Sequence, residues 1–244
     1  MSRKPETAVV TGAGSGIGRG VAEALAALGL KVALVGRDRS KLEATKGLLN
    51  VADDRALVVP CDVTDREAVA KAAAEIEKAF GRIDVLVCNA GTNVRNRGLD
   101  VLTPEDWDAM LATNLTGPFN VLRAILPGMR ERKDGLVIQI CSLSGLRAST
   151  LGGAGYSASK FGQAALGLCL GREAREEGIR STVIYPGEVN TPILDARPVK
   201  VPDARKAAIL QPEDVAAAVK FLVELNPRAR VPELVLTPTV DDFC

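Results

Sequence analysis

The chain has 244 residues, of which 47% are hydrophobic, 25% are charged and only 3% are aromatic, and its formal net charge is +1. This composition is typical of a soluble globular protein. So small a charge with so few aromatic side chains predicts neither nucleic acid nor a membrane surface as a partner. The chain contains no histidine, which excludes Ser-His-Asp and Cys-His catalysis and every His-ligated metal site. We therefore predict no metal, and acid/base chemistry is left to tyrosine, lysine, carboxylates or water.

The first residues and the cysteines indicate an intracellular protein. The chain begins without the apolar region of a signal peptide, and no apolar stretch is long enough for a membrane helix. Its five cysteines form an odd set without Cys-x-x-Cys spacing, at positions 61, 88, 141, 169 and 244. We expect a cytoplasmic protein with reduced thiols that serve as small buried apolar side chains.

Short apolar runs alternate with longer helical patterns along the chain. Strands are predicted at residues 8–11, 31–35, 56–59, 83–87, 136–140, 180–185 and 233–236. Helices are predicted at residues 21–28, 40–49, 64–80, 114–129 and 156–177, with two more beginning at Thr103 and Pro212. Thr64 is the predicted N-cap of its helix because Glu67 follows three residues later. Apolar strands that alternate with helices form a parallel sheet covered on both faces. We therefore predict one doubly wound α/β domain over residues 1–244, with about seven strands.

A glycine-rich run, TGAGSGIG at residues 11–18, follows the first predicted strand and opens the first helix. Glycines allow a tight turn and a close backbone approach, and the N-terminus of a helix offers unpaired N–H groups to a pyrophosphate. The run could instead be only a tight strand-to-helix turn. Its position in the first of several βα units favours dinucleotide binding.

The end of the second strand indicates which dinucleotide is bound. Enzymes that use NAD usually carry an acidic residue there to bind the ribose hydroxyls, whereas this chain has Gly36 followed by Arg37. An arginine can bind the 2′-phosphate of NADP. We therefore predict NADP(H), while NAD(H) stays possible because Asp38 could reach the ribose. Arg37 could also merely pair with Asp38 or Glu43.

Further polar residues follow the third and fourth strands. Asp62 is placed to bond an adenine amino group, or to stabilise the start of the next helix. Asn89 can satisfy backbone groups beside the cofactor, and Gly91 permits a turn. Thr11, Arg37, Asp62, Asn89, Ser142 and Pro186 each lie just beyond a predicted strand. Because such ends share one edge of a parallel sheet, these residues should converge on one crevice.

Tyr156 and Lys160 are four residues apart on a predicted helix, so their side chains lie on one face, one turn apart. A phenol beside an ammonium group is a candidate proton donor, because the positive charge lowers the pKa of the phenol. That pKa must fall by roughly 2–3 units from about 10, or ~3–4 kcal/mol, for easy proton exchange near neutrality. Taken alone, the pair is a weak motif and favours a surface contact on the helix.

The motifs together resemble those of the short-chain dehydrogenase/reductase family over essentially the whole chain. The matching residues are Thr11-Gly12-x-x-x-Gly16-x-Gly18, Asn89-Ala90-Gly91, Asn114, Ser142, Tyr156-x-x-x-Lys160 and Pro186-Gly187. Each motif is modest by itself, but in this order and at these intervals the set is highly specific. The resemblance implies a Rossmann-type sheet, a nicotinamide cofactor and reversible chemistry between carbonyl compounds and alcohols.

The resemblance also implies a role for each of four catalytic residues. Tyr156 would be the general acid for carbonyl reduction and the base for alcohol oxidation. Lys160 would lower the pKa of Tyr156 and hold the nicotinamide ribose. Ser142, with Ser144 as its rival, would bond and polarise the substrate oxygen. Asn114 would hold a water in a proton relay behind Lys160, or would only fill a helix kink.

The segment that begins at Pro186 resembles the one that lies over the nicotinamide in this family, with Val189 and Thr191 meeting its carboxamide and phosphates. Taken together, the candidate cofactor-binding residues are Gly12, Ser15, Gly16, Ile17, Gly18, Arg37, Asp62, Val63, Asn89, Ala90, Gly91, Tyr156, Lys160, Pro186, Gly187, Val189 and Thr191.

Two regions of the chain should shape the substrate site. Residues 188–210 form a short, charged segment, and we expect them to be a mobile lid over the substrate. Residues 146–155 should form one wall of the pocket. Arg95, Arg97 and Arg147 could rim its mouth and bind an anionic substrate, or could be ordinary surface or subunit-contact arginines. The last strand runs into residues 237–242 without the Asp-Gly-Gly ending that is frequent in the family.

We therefore predict an NADP(H)-dependent oxidoreductase of carbonyl compounds and alcohols, assembled as a homodimer or homotetramer. The alternatives are an NAD(H)-dependent dehydrogenase and a non-catalytic dinucleotide-binding module that senses redox state. Intact candidates at positions 114, 142, 156 and 160 argue against the sensor, which would need only the binding loop.

Overall fold

The computed structural model of the protein describes residues 4–241. Within that range, a parallel sheet of seven strands runs in the spatial order β3-β2-β1-β4-β5-β6-β7. The strands are β1 Thr7–Thr11, β2 Lys31–Gly36, β3 Ala56–Pro60, β4 Val85–Cys88, β5 Gly135–Ile140, β6 Ile179–Pro186 and β7 Glu233–Leu236. The strand order reverses between β1 and β4, which leaves a crevice at their carboxyl ends.

Eight α-helices connect the described strands. They are α1 Gly16–Ala27, α2 Arg39–Leu48, α3 Arg66–Phe80, α4 Pro104–Leu111, α5 Gly117–Arg132, α6 Ala154–Glu173, α7 Asp203–Ala208 and α8 Pro212–Glu224. Three-residue or five-residue 3₁₀ turns lie at Asp53–Arg55, Leu143–Gly145, Arg175–Glu177 and Pro192–Ala196.

Apolar side chains cover both faces of the sheet because successive residues of a strand point to opposite sides. Ala8 and Val10 pack with α1 and α8 on one face. Val9, between them in sequence, packs with α3 and α5 on the other face. The predicted doubly wound sheet with helices on both faces is therefore confirmed.

Helix α3 begins one residue later than predicted. Asp65, not Thr64, is the N-cap, and its carboxylate accepts the N–H groups of Glu67 and Ala68. Thr64 instead donates its N–H and its hydroxyl to Asp62 Oδ1, both at 2.9 Å. The helix dipole also stabilises a carboxylate at the N-terminus of a helix. The prediction that Thr64 is the N-cap was therefore wrong.

Helices α4 and α5 are joined without a break by a π-helical turn at Ala112–Thr116. This turn adds a residue to the helical path and carries the buried Asn114. The sequence predicted two separate helices here, because a period of 3.6 residues does not anticipate the wider turn.

Helix α6 ends at Glu173 rather than at residue 177, and a 3₁₀ turn covers the difference. Gly178 then takes a left-handed φ of 74°, and a side chain there would overlap the carbonyl group of Lys133. The predicted end of the helical region at Gly178 is thus correct.

The cysteines fit their predicted role only in part. Cys61, Cys88 and Cys141 are buried free thiols, whereas Cys169 is exposed on α6, so the prediction for Cys169 was wrong. Cys244 lies outside the described residues, as does Asp242 at the end of the predicted tail. No helix between residues 4 and 241 is long and apolar enough to cross a membrane.

Residues 188–210 leave the sheet after β6 and return to the same place. Leu210 donates its N–H to Glu188 O at 3.1 Å, and Asn190 donates to Leu210 O at 2.8 Å. Between these closing bonds, Leu194, Val201 and Ile209 form a small apolar cluster. The segment is therefore packed on its own interior and held at its base by backbone hydrogen bonds.

Candidate active site

The carboxyl ends of β1, β4, β5 and β6 open onto a cavity of about 720 Å³. A second cavity, of about 180 Å³, adjoins it at the ends of β2 and β3. Both are lined by Gly12, Ser15, Ala90 and Gly91, so they form one continuous cleft. Tyr156 lies in the larger part of the cleft and Arg37 in the smaller. Arg37, Asp62, Asn89, Ser142 and Pro186, which lie at or just beyond the ends of five different strands, therefore line one cleft, as predicted.

The glycine-rich turn between β1 and α1 is shaped by close contacts. Gly12 and Gly16 have φ values of 66° and 52°, which favour glycine. A side chain at Gly12 would lie 2.8 Å from Asn89 Nδ2, and one at Gly18 would overlap the carbonyl group of Gly12. The turn thus brings bare backbone and the N-terminus of α1 to the floor of the cleft, where a phosphate can approach.

Asn89, at the end of β4, ties that strand to the turn. Its side chain donates to Thr11 O at 2.9 Å and to Gly12 O at 3.3 Å. The Thr11 hydroxyl in turn accepts the N–H groups of Asn89 and Ala90 at 2.9 and 3.0 Å. Asn89 thus satisfies backbone carbonyl groups of the glycine-rich turn, as the sequence analysis predicts.

The smaller part of the cleft holds the residues that were expected to select the cofactor. Arg37 is exposed and has no carboxylate partner between residues 4 and 241, since Glu43 pairs with Arg39 and Asp38 with Lys41. Asp38 also caps α2 and accepts the Ser40 hydroxyl at 2.7 Å, which lowers the pKa of its carboxyl group.

Lys41 lines the same part of the cleft, beside Arg37. No sequence pattern singles out Lys41, because only the turn into α2 brings it towards Gly14. An added Cβ at Gly14 would lie 2.9 Å from the Lys41 side chain. Asp62 and Val63 line this part as well, and one Asp62 oxygen is engaged by Thr64.

Ser142 follows β5 in an extended conformation and lines the larger part of the cleft. Its hydroxyl accepts the N–H of Ser144 at 3.1 Å and lowers the pKa of the Tyr156 phenol by hydrogen bonding to it. Ser144 is buried against Gly152, where an added Cβ would lie 2.6 Å from its hydroxyl. Of the two rival serines, Ser142 is the one that interacts with Tyr156.

Tyr156 is half-buried at the start of α6, and the Lys160 ammonium lies 5.7 Å from the centre of its ring. Loss of hydration raises the pKa of Tyr156 to about 12, against the lowering effects of Ser142, Arg97 and Arg197. The sequence predicts the opposite direction on the strength of Lys160. Burial also lowers the pKa of Lys160, so its charge is itself disfavoured in the folded protein.

Asn114 joins the loop after β4 to α6. Its amide nitrogen donates to Thr92 O and to the Ser159 hydroxyl, both at 2.9 Å, and its oxygen accepts the N–H of Thr92 at 2.7 Å. An added Cβ at Gly91 would lie 3.4 Å from Asn114 Oδ1 and 3.6 Å from Lys160 Nζ. Asn114 and Lys160 therefore border the same small space beside Gly91.

Arg97 joins three segments around the larger part of the cleft. It is 7% exposed, and it donates to the carbonyl oxygens of Val94, Leu151 and Ala196 at 2.9, 2.8 and 2.7 Å. No carboxylate among residues 4–241 pairs with it, and burial together with the charge of Arg197 lowers its pKa. Its charge is thus left uncompensated by the described part of the protein.

The other two predicted rim arginines differ from Arg97. Arg147 lines the cleft, together with neighbours in the predicted wall, whereas Arg95 is exposed and contributes nothing to the lining. The segment after β6 brings two arginines that the sequence did not single out. Glu188 pairs with Arg197 at 3.1 Å and with Arg205 at 2.7 Å, and Arg205 also reaches Asp241 at 2.5 Å.

The remaining predicted cofactor residues lie along the same cleft. Gly187 donates its N–H to Leu236 O at 2.7 Å, which holds the chain after β6 against β7. Thr191 covers the glycine-rich turn, with its Cβ 3.1 Å from an added Cβ at Gly16. Residues of this group that line the larger part are Gly12, Ser15, Gly16, Ile17, Asn89, Ala90, Gly91, Pro186, Gly187, Val189 and Thr191. Gly18 is buried beneath the turn.

Known proteins resemble this chain over nearly its whole length. A sequence model of the family described as short chain dehydrogenase matches residues 6–200. An uncharacterised oxidoreductase of Staphylococcus aureus (strain N315) is 36% identical over 234 residues, which make up 95% of this chain and 96% of that protein.

Solved structures show the same resemblance. The alcohol dehydrogenase of the archaeon Thermococcus sibiricus, complexed with 5-hydroxy-NADP, has a TM-score of 0.85 at 30% identity, over 97% of this chain and 98% of that one. The 3-ketoacyl-(acyl-carrier-protein) reductase of Brucella melitensis, complexed with NADH, has a TM-score of 0.86 at 27% identity, over 95% and 96% of the two chains.

Replacement of Tyr156 by Phe should reduce the loss of stability in alkali. A phenol whose pKa rises from about 10 in the unfolded chain to about 12 in the folded protein contributes stability that is complete below pH ~10 and lost as the pH rises through the folded pKa. The free energy of unfolding of the wild type should therefore fall more steeply over this interval than that of Y156F, by an amount that the partial exposure of the ring reduces. Chemical denaturation at several pH values measures both slopes, and parallel slopes would contradict the assignment.

Proposed function

The chain belongs to the short-chain dehydrogenase family, and on that premise we propose that it is an NADP(H)-dependent oxidoreductase of carbonyl compounds and secondary alcohols. Membership of the family makes it an oxidoreductase that uses a nicotinamide dinucleotide. The observation that carries the proposal is the convergence of Ser142, Tyr156 and Lys160 on the cleft that begins at the glycine-rich turn. In this arrangement the Tyr156 phenol would be able to give its proton to a substrate oxygen in the cleft.

The cleft fits a dinucleotide. Its two parts are joined at Gly12, Ser15, Ala90 and Gly91, which gives an elongated site with the glycine-rich turn at its middle. The exposed N–H groups at the start of α1 suit a pyrophosphate there. When bound, the nicotinamide supplies a hydride to a carbonyl carbon or accepts one from an alcohol. The backbone of Val189 and the hydroxyl of Thr191 would hold that end.

The chain's own residues would manage the proton. Ser142 would donate its hydroxyl hydrogen to the substrate oxygen, while Tyr156 gives that oxygen its phenolic proton during reduction or removes it during oxidation. Tyr156 is protonated at neutral pH in the free protein because its pKa is about 12, which suits the donor role. Oxidation needs the phenolate, which the cations of Lys160, Arg97 and Arg197 would stabilise.

The space beside Gly91 supports a role for Asn114 in renewing the proton. Asn114 Oδ1 and Lys160 Nζ both border that space, and a water held there would connect Lys160 with the loop after β4. The three hydrogen bonds that Asn114 makes to Thr92 and Ser159 would fix its position.

Residues 188–210 would act as a lid over the substrate. Their Ala196 carbonyl accepts a hydrogen bond from Arg97, which belongs to the loop after β4. Their Glu188 pairs with Arg197 and Arg205 within the same segment. Opening would break the bond from Arg97 to Ala196 and the ion pair of Arg205 with Asp241. The pairs that Glu188 makes within the segment would stay intact, so the segment would move as a unit.

A homodimer or homotetramer is the assembly that we propose. Phe119 on α5 and Phe161 on α6 are large apolar side chains that the described part of the chain leaves exposed. Such side chains are well suited to a subunit contact.

The uncompensated charge of Arg97 supports an anionic substrate. Its charge is buried beside the cleft without a carboxylate partner among the described residues, and such burial is costly unless a counter-ion arrives. Arg197 approaches closely enough to lower the pKa of Arg97. A carboxylate on the substrate would meet the Arg97 guanidinium there, beside Arg197, which is already paired with Glu188.

Turnover should depend on Tyr156 and Ser142 but not on Ser144. With NADPH and a panel of carbonyl compounds, Y156F should lower kcat by about 100- to 10,000-fold, because the proton donor is lost. S142A should lower kcat by about 100-fold or more, because a hydrogen bond to the reacting oxygen is lost. S144A is the matched control and should stay close to the wild type, since its hydroxyl is turned towards Gly152.

Steady-state kinetics and fluorescence titration of NADPH distinguish this proposal from its alternative. A wild-type protein that binds NADPH or NADH and turns over no substrate of a broad panel would be a dinucleotide-binding sensor. Retained NADPH binding in Y156F would show that the loss of turnover is chemical.

Arg37 should select NADPH over NADH. Replacement by Ala should raise the KM for NADPH by about 10- to 100-fold, because a charge-assisted bond to the 2′-phosphate is lost, and should change the KM for NADH little. Arg39→Ala is the matched control, because Arg39 is exposed nearby, at the start of α2, and pairs with Glu43. An equal effect of Arg37→Ala on both cofactors would contradict the assignment and favour the NAD(H)-dependent alternative.

Arg97 should matter more for charged substrates than for neutral ones. For an oxo acid and its methyl ester, Arg97→Gln should raise the KM of the acid by about tenfold or more and leave that of the ester nearly unchanged. Loosening of the segments that Arg97 joins would affect both substrates alike, and that result would reduce Arg97 to a structural role. Arg95→Gln, an exposed position in the same loop, is the control.

A further inference from the structure

The ammonium group of Lys160 is buried without a carboxylate partner among residues 4–241. Lys160 is 3% exposed, and its Nζ donates to Ile140 O at 3.1 Å and to Gln163 Oε1 at 2.7 Å. A buried cation needs such acceptors, because it has lost its hydration. The shorter of its two bonds is the one to Gln163.

The titratable groups around Lys160 offer no counter-charge near neutral pH. Cys141, at the end of β5, and Tyr156, on α6, face it, and burial raises the pKa of both. Cys88 on β4 lies behind Gln163, and burial raises its pKa to about 12. The ammonium is therefore stabilised by the neutral oxygens of Ile140 and Gln163.

The amide of Gln163 can point in only one direction. Gln163 is fully buried, and its nitrogen donates to Gln139 Oε1 at 3.1 Å and lies 3.5 Å from the carbonyl oxygen of Cys88. A backbone carbonyl can only accept, so the nitrogen must face β4 and the oxygen must face Lys160. The strand thus determines which atom of Gln163 meets the ammonium.

Gln139, on β5, completes this arrangement. It is also fully buried, and its nitrogen has no hydrogen-bond acceptor in the described part of the chain. Because the Gln163 nitrogen can only donate, the Gln139 oxygen is the atom that accepts from it. A lysine has three N–H bonds, and two of those of Lys160 are engaged below the cleft, so one is left for the cleft itself.

We propose that Gln163 is a positioning residue of the active site, which holds the ammonium of Lys160 beside Tyr156, and that Gln139 fixes the orientation of Gln163. This inference rests on the proposed role of Tyr156 and Lys160 in proton transfer. The simpler view is that the two amides only fill a polar gap between α6 and the sheet. In that case their replacement changes stability and leaves the titration of Lys160 alone.

Titration of Lys160 in the cofactor-free, full-length protein separates these views. The ¹³Cε shift of labelled lysine follows deprotonation, and the Lys160 signal is identified by its absence in K160M. Gln163→Met removes the acceptor and should lower the midpoint of the Lys160 titration by roughly one pH unit. Gln163→Glu keeps an acceptor and adds negative charge, so it should raise the midpoint by a similar amount. Opposite shifts at one position are not expected of a gap-filling residue.

Controls keep the test independent of folding. Leu170→Ala removes a buried side chain elsewhere on α6 and should lower the Tm while leaving the Lys160 midpoint unchanged. Should Gln163→Met fail to fold, Gln139→Met should lower the midpoint by a smaller amount, because it frees the amide of Gln163. A midpoint that is the same in the wild type and in every folded variant at positions 163 and 139 would overturn the proposal.

The pH dependence of turnover gives a second readout. Alcohol oxidation needs the phenolate of Tyr156, which the charge of Lys160 stabilises. Gln163→Met makes that charge harder to keep, and the carboxylate of Gln163→Glu offsets it. In both variants the rise of kcat/KM should therefore move to higher pH. An unshifted rise in both would contradict the positioning role. A wild type that oxidises no alcohol and reduces no carbonyl would refute the proposed function, while the titration of Lys160 would still decide the role of Gln163.

Discussion

Parallel strands bring the candidate site residues of this protein to one edge of the sheet. Thr11, Asn89, Ser142 and Pro186 come from four neighbouring strands, and each lies at or just beyond a carboxyl end. Because every crossover returns the chain to the opposite edge, loops at the carboxyl edge can differ in chemistry without disturbing the strands. The cleft, its glycine-rich turn and the start of α6 all depend on this constraint.

Two cations of the cleft, Arg97 and Lys160, are held by uncharged oxygens, whereas Arg197 and Arg205 pair with Glu188. Arg97 bonds to three backbone carbonyls, and Lys160 bonds to a backbone carbonyl and an amide oxygen. A carboxylate partner would cancel each charge locally, whereas a carbonyl only orients it. The positive field thus remains available to a phenolate or to an anionic substrate. The cost is that burial lowers the pKa of both side chains.

Patterns that repeat along the chain were predictable, and contacts that depend on packing were not. Apolar strands such as β1 and β5, the glycine-rich turn and the pair Tyr156 and Lys160 follow from local periodicity and spacing. Asp65 is the N-cap of α3, because Thr64 hydrogen-bonds to Asp62 instead. Sequence spacing alone does not distinguish Thr64 from Asp65 as the cap. Gln163 carries no sequence signal, since its partner Gln139 lies on a strand that only the folded sheet brings against α6.

The most direct test of the account is transfer of deuterium from NADPH labelled at nicotinamide C4. The wild-type protein, incubated with each stereoisomer of the labelled cofactor and a panel of carbonyl compounds, should place deuterium on the new carbinol carbon of an alcohol product, as mass spectrometry detects. One of the two stereoisomers should supply the label, because a fixed site presents one face of the ring. Saturable binding of both NADPH and NADH without deuterium in any product would contradict the central claim.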